Sequence, residues 1–479
     1  MLLRSTLIYA PAILLTRISA LLLLVIATRL VDQTEYGLLT LVLTVGEMTD
    51  MAVTNWLRIA LLRLGGKGDV TRGTVALAAR VLLACTLVSL AIAVGASALV
   101  VPERWADFAL AVGAYLVAGS FSRFGLTVLQ MQQRHGVYSA MEFLRAALQL
   151  ALPVAAITVL PASFLVVSLG TSLGVLLAGL VALALALGRL VGGPPRFTHA
   201  AFFALGMPLV IMAVVGFGMN SAERVLLKFY YDAGTVAIFA AAYALARQPI
   251  DMLANAVNMG AFPEVVSRFD NDGPEAAGRF LGQLLALMLA LTLPAAAMLV
   301  ALSDPLTQLL LPAEYHGQFG WLFPLIAASV VLSNLTNFVY GDVIHAHKRP
   351  WLLIWATSAG SVGTIGLSLL LIPTLAADGA AIALLGGSVT AFAVLLVISE
   401  RLTPIPLPWR EIGMAVLVAA VTGGMAALAS TSLEAQSAPL RLATGAMAGG
   451  GAFLALNALF RFEQTRAGLS KLRRRVTGG

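Results

Sequence analysis

The sequence predicts an all-α integral membrane protein of about fourteen transmembrane helices. Three observations carry that expectation: the composition, the spacing of the apolar runs, and the side on which the basic residues fall. The chain of 479 residues is 59% hydrophobic and 11% charged, with a mean hydropathy of +0.92. A soluble domain carries about twice that charge, so an exterior this apolar must face lipid. Apolar runs of the length needed to cross a core about 30 Å thick follow one another with only short loops between them. No stretch is long enough and polar enough to be a separate soluble domain.

In chain order, the first spans are Leu7–Leu30, Tyr36–Leu57, Val75–Val101, Phe108–Leu129, Tyr138–Leu160 and Ala162–Leu187. The first apolar run outlasts the core of a signal peptide and is read as a retained span. Gly192-Gly193-Pro194-Pro195 then stops the pattern, because no helix interior accepts that sequence. The next spans are Ala201–Leu227, Val236–Met259, Ala276–Leu302, Phe319–Gly341, Trp351–Ile372 and Gly379–Ser399. Ile412–Ser430 and Leu440–Phe460 follow. With the N-terminus in the cytoplasm, roughly twenty basic residues fall in cytoplasmic loops and about five outside. A missed span would invert that bias in everything after it. Both termini are therefore expected in the cytoplasm.

The basic tail Lys471–Arg475 is an orientation anchor near anionic lipid, and it has neither the folded module nor the aromatics of a nucleic-acid site. Cys85 is the sole cysteine, so no intrachain disulfide and no cysteine metal cluster can form. Nucleotide-binding, metalloprotease and serine-hydrolase motifs are absent. His345 and His347 have no metal-like partners and read as an interfacial loop. Neither a cofactor nor a metal is expected. Asp32, Glu35, Asp232 and Glu314 read as solvated helix caps in periplasmic turns.

A weak internal repeat relates the two parts of the chain. An offset of 200 places Asp32-Gln33-Thr34-Glu35-Tyr36-Gly37 on Asp232-Ala233-Gly234-Thr235-Val236-Ala237. In both places a basic residue late in one span leads through an acidic turn into the next. With the Gly-Gly-Pro-Pro break, this predicts two six-helix lobes, residues 1–190 and 191–403. Residues 404–479 add two helices and the tail. Repeated lobes with a site at their interface are a common transporter plan.

Charges inside spans are costly and mark function by default, at about 2.5–3.5 kcal/mol each at a helix centre. Arg17, Arg145 and Arg247 are the candidate anion-binding residues, since guanidinium stays charged and pairs with phosphate through two bonds. Arg145 can instead pair with Glu142, and Arg247 with Asp251, at helical spacing. Arg17 has no carboxylate on its own helix, although Glu47 or Asp50 on the neighbouring one can neutralise it. Asn220, Asn334 and Asn337 add polar contacts. Glu47 and Asp50, three residues apart on one helix face, and Asp251 are candidates for ion or proton coupling, with structural counter-ion as the alternative. Spans eleven to fourteen carry almost no central charge.

Four segments carry a family resemblance. "IATRLVDQTEYGLLTLVLTVGEMTD" resembles the first loop of the polysaccharide flippases of the multidrug/oligosaccharidyl-lipid/polysaccharide exporter superfamily, and "ERVLLKFYYDAGTVAIFAAAYALARQP" is similar to the start of their second lobe. "ALSDPLTQLLLPAEYHGQFGWLFPLIAAS" resembles the hairpin before their tenth helix, and "LLLIPTLAADGAAIALLGG" the turn between the eleventh and twelfth. Asp378 departs from the small or apolar residue expected in that turn. The resemblance implies two six-helix bundles around a central cavity plus two C-terminal helices. It implies transport of an undecaprenyl-diphosphate-linked oligosaccharide from the cytoplasmic to the periplasmic leaflet of a bacterial inner membrane. The implied partners are that lipid-linked oligosaccharide, membrane lipids, H+ or Na+, and other polysaccharide assembly proteins. The alternatives within the superfamily are a cation-coupled multidrug exporter and a peptidoglycan-precursor flippase. A membrane-embedded polymerase or ligase would need a larger periplasmic loop than Ser303–Gln318, and a pure scaffold would not need the charge stripes.

Overall fold

The computed structural model describes residue 19 and residues 21–66 and 68–460, with side chains in 208–220 described only in part. Every regular element there is helical, and the chain is a multi-pass membrane protein. Helices α1 (Leu21–Leu30), α2 (Gln33–Val53), α3 (Asn55–Leu64), α4 (Arg72–Val100), α5 (Trp105–Met131), α6 (His135–Ile157), α7 (Phe164–Leu187), α8 (His199–Asn220) and α9 (Ala222–Tyr230) come first. After them come α10 (Ala233–Asp272), α11 (Pro274–Ala301), α12 (Ser303–Leu310), α13 (Leu322–Leu335), α14 (Gly341–Ala346), α15 (Trp351–Leu402), α16 (Trp409–Thr431) and α17 (Ala438–Phe460). Eleven helical stretches among the described residues are long and apolar enough to cross a membrane, against the fourteen expected. The difference lies in α1, of which ten residues qualify as a shorter apolar helix, in α8, and in α15.

The 52 residues of α15 would run about 78 Å if straight, more than twice a bilayer core. They do not run straight. Pro373 removes a backbone donor, and Ala376 leaves the helical region at φ 48°, ψ −125°. The chain folds back there, so that Gly363 lies against Gly387 and Thr390. A β-carbon at Gly379 would fall 2.5 Å from the Leu371 carbonyl oxygen, so only glycine admits this tight return. The result is a pair of apolar arms where the sequence predicts Trp351–Ile372 and Gly379–Ser399.

The chain divides into two compact units, Met1–Ala241 and Ala242–Gly479. In the first, α5, α6 and α7 pack closely through small residues. Gly179 of α7 lies on the Ser122 backbone of α5, and Gly170 and Gly174 lie on the Pro153 and Leu148 backbones of α6. Lipid offers no hydrophobic drive for helices to associate, so this close backbone approach supplies the dispersion contact that holds them. The segment after α7 is strapped to the loop before α4. Arg72 N–H donates to the Val191 carbonyl at 2.9 Å, Val191 N–H to the Val70 carbonyl at 3.0 Å, and Gly73 N–H to the Gly193 carbonyl at 3.1 Å. Phe197 and Phe202 then stack at 4.6 Å, with Trp56 5.3 Å from Phe202.

The two turns of the internal repeat are both capped. Asp32 accepts from the Glu35 N–H at 2.9 Å, and Asp232 from the Thr235 N–H at 2.7 Å. Gly37 presses on the Ala233 backbone, so the matching turns meet inside the first unit. Glu35 corrects its expected role. It pairs with Arg104 and accepts from the Phe164 N–H at 2.7 Å, joining the α2, α5 and α7 ends instead of facing solvent.

In the second unit, Leu281, Leu285 and Met288 of α11 pack in one core with Val339, Tyr340, Val343 and Ala415. Ile405 also enters that core. Arg441 of α17, a buried guanidinium, reaches Asp304 of α12 at 3.0 Å. His347 packs within this unit: its Nε2 lies 2.9 Å from Thr403 Oγ1 and its ring 4.6 Å from Phe269. Burial and the neighbouring Arg349 charge lower its pKa.

Candidate functional site

Asp50 sits on the last turn of α2 and is buried. Its carboxylate pairs with Arg123 of α5 at 2.6 Å and accepts from the Thr54 hydroxyl. Thr54 is the one residue between α2 and α3. Its hydroxyl is used on Asp50 and makes no cap for α3. Glu47, three residues earlier, is exposed whereas Asp50 is buried. Arg17, the arginine expected to face them, lies outside the described residues.

Sequence alone gives Arg123 no role. Its signal was nonetheless present: it is a lone arginine inside the span Phe108–Leu129, with no carboxylate one turn away. The guanidinium folds back over its own helix, where a β-carbon at Gly119 would fall 2.9 Å from Cζ. About a third of the Arg123 side chain remains exposed, against 9% of Asp50. A small, mostly apolar pocket adjoins this pair, lined by Leu57, Leu82 and Phe124 together with Arg58, Ser120 and Thr127.

Arg145 takes its helical alternative. It donates to Glu142 at 2.6 and 3.2 Å and to Gln149 at 3.3 Å, all on α6. Arg224 of α9 lies 3.5 Å from the Thr44 hydroxyl of α2. The side chain of Asn220 lies outside the described residues.

The second unit assembles Arg247, Asp251 and Asn334. Arg247 Nε donates to Asp251 at 2.9 Å, and Asn334 of α13 donates to the other carboxylate oxygen at 3.0 Å. Asn255 donates to the Asp251 carbonyl at 2.7 Å. Arg247 also bonds the Tyr243 hydroxyl and lies 5.2 Å from that ring's centroid. The carboxylate is thus desolvated and fully engaged, while Arg247 keeps 35% of its side chain exposed. Asn337 stands apart from this cluster. It is exposed, on a π-helical turn at Thr336–Tyr340, a distortion often found at functional positions.

Both units therefore use one device. A buried carboxylate anchors an arginine whose side chain remains about one-third exposed. Chemically, such an arginine can receive an oxyanion without being an unpaired buried charge beforehand.

The model of the family described as polysaccharide biosynthesis protein matches residues 26–318. A solved structure of the lipid II flippase MurJ, in an inward closed conformation, superposes with a TM-score of 0.72 at 12% identity. It covers 95% of this chain and 98% of that one. A multidrug resistance MATE family transporter of the MOP superfamily, in an outward-facing conformation, gives 0.50 at 15% identity, covering 83% and 97%. No curated protein matches the sequence. The fold is that of these transporters.

Proposed function

We propose, from the premise that the chain belongs to the polysaccharide biosynthesis protein family, that it flips an undecaprenyl-diphosphate-linked oligosaccharide across a bacterial inner membrane. Transport runs from the cytoplasmic to the periplasmic leaflet by alternating access, with both termini cytoplasmic and with no catalysis by the chain itself. The observation that carries this reading is the partly exposed arginine held by a buried carboxylate, Arg123 on Asp50 and Arg247 on Asp251. A cationic drug gains nothing from such groups, whereas a diphosphate headgroup that must leave water does. The further reach of the likeness to a lipid II flippase than to a multidrug transporter supports a lipid-linked substrate.

Arg17, Arg145, Arg247, Asn220, Asn334 and Asn337 are proposed substrate contacts, and Glu47, Asp50 and Asp251 the ion-coupling groups. Residues 1–190, 191–403 and 404–479 are the proposed lobes and appendage. The test is reconstitution of the full chain in vesicles with a lipid-linked oligosaccharide and a membrane-impermeant periodate. The protected sugar fraction should fall when the protein is present. Sugar that stays protected, in vesicles where the same protein expels a cationic dye, overturns the proposal in favour of a drug exporter.

A further inference from the structure

Asp342 is 3% exposed and lies near the end of the helical run Leu322–Ala346, one residue past the expected span Phe319–Gly341. Its Oδ2 is buried with no hydrogen-bond partner, and it forms no ion pair among the described residues. The π-helical turn Thr336–Tyr340 sets the face on which it falls. Two turns after Asn334, an unbroken α-helix would place Gly341. A π turn inserts one residue, so Asp342 takes that place, on the stripe from which Asn334 bonds Asp251 of α10. His345, one turn on, keeps to the same stripe, its ring 6.1 Å from Phe262 of α10. The contacts Asp251–Asn334, Phe262–His345 and Phe269–His347 rise together in number, so α10 runs parallel to α13 and α14. Level with Asp342 on α10 is therefore Asn258, two turns past Asp251 and one turn before Phe262. Its Oδ1 is also buried with no hydrogen-bond partner. Buried polar atoms normally find one, and here two acceptors on facing stripes share the same want of a donor.

We propose that Asp342 is a proton-binding site of the second unit, a neutral carboxyl held toward the Asn258 carbonyl oxygen and discharged when α10 and α14 part. An ionised carboxylate there would lose water and gain nothing in return, and a proton removes most of that cost. The proton also makes Oδ2 a donor, which answers both orphaned atoms at once. A hard metal ion would collect about six oxygens, and this seam offers two. The charged groups of the packed elements are committed elsewhere. Asp251 is held by Arg247 and Asn334, and Glu264 of α10 by Arg268. Arg279 of α11 faces Glu275, and Glu400 of α15 accepts from the Ile405 N–H. Lys348, Arg349, Arg401 and Arg410 are exposed. On its own run Asp342 has only Tyr340, set edge-on to Phe392, and His345 beside Phe262. Both helices are weakened at this level, α10 by Pro263 and its partner by the π turn. Parting them admits water, and the proton passes from Oδ2 to that water, leaving the carboxylate. On the proposed orientation the water is cytoplasmic. The use of this proton in coupling rests on the transport reading above; its presence does not.

The test uses the full chain in phosphatidylcholine nanodiscs, followed by infrared spectroscopy, because a protonated carboxyl absorbs clear of the amide bands. Wild type at neutral pH should show such a band, moved by deuterium oxide, and Asp342→Asn should lack it. Asn258→Ala should shift the band without removing it. An asparagine amide can donate as the carboxyl O–H does, so Asp342→Asn should melt like wild type at neutral pH. A spectrum with no Asp342-dependent band, or a large loss of stability in Asp342→Asn, would mean an ionised aspartate and overturn the proposal. A band abolished by sodium chloride and not by potassium chloride would replace the proton by sodium. A band unmoved in Asn258→Ala would remove the pairing. In vesicles with a lipid-linked oligosaccharide, an imposed pH gradient should change flipping by wild type several-fold and leave flipping by Asp342→Asn unchanged. Full gradient dependence in Asp342→Asn would overturn the coupling role. An Asp342-dependent band in a wild type that flips nothing would sink the transport reading and leave the proton site standing.

Discussion

Asp251 shows what one residue's surroundings dictate. Its oxygens are divided between Arg247 and Asn334, so each partner has a separate, measurable cost. Asn334→Ala leaves one oxygen of a buried carboxylate unsatisfied and should cost about 1–3 kcal/mol. Arg247→Ala should cost about 3 kcal/mol, the low end for a broken buried pair because the arginine is partly exposed. Thermal unfolding of the purified variants in detergent measures both, and Asp251→Asn should recover most of the Arg247→Ala loss. An Arg247→Ala protein as stable as wild type would show that the pair is not structural. The Arg247–Asp251 contact was legible because residues four apart on one helix lie side by side. Arg123–Asp50 was not, because 73 residues separate the partners and the periodicity of a helix says nothing about which helix lies beside it. The same limit hid the Asn334 bond to Asp251, although both residues were singled out as polar.

At the scale of elements, the apolar runs located helices well and their ends poorly. Hydropathy stops α10 at Met259, yet the helix continues to Asp272 through Glu264 and Arg268, paired at 2.8 Å, because a helix can leave lipid without losing its backbone bonds. In α15 the reversal at Pro373 and Ala376 falls in the gap that the sequence leaves between Trp351–Ile372 and Gly379–Ser399. Small residues decide how elements meet. A β-carbon at Gly179 would fall 2.6 Å from the Ser122 Cα, so Gly179→Ala should force α5 and α7 apart at a cost of about 1–3 kcal/mol. Gly95 of α4 faces open space, and Gly95→Ala should be neutral or stabilising by up to about 1 kcal/mol. Membrane abundance and thermal stability of the two variants, compared side by side, test the assignment. Equal behaviour would mean that the α5–α7 seam yields.

For the whole molecule, the basic-residue bias makes a topological prediction. A reporter fused after Arg196 should read cytoplasmic and one fused after Tyr315 periplasmic; finding both on one side would reverse the orientation. The strap between the loop before α4 and the segment after α7 bears on a different kind of experiment. Gly192, Gly193 and both prolines are exposed, and a protease would choose such a stretch. Yet backbone bonds pin it on either side, and Phe202 beyond it is wedged beside Trp56. Cleavage at an engineered site between Gly192 and Gly193 should thus be slow in the folded protein. Once it occurs, the two fragments should still migrate together in detergent and separate only on denaturation, so that the scar of the cut would be invisible until the chain was unfolded.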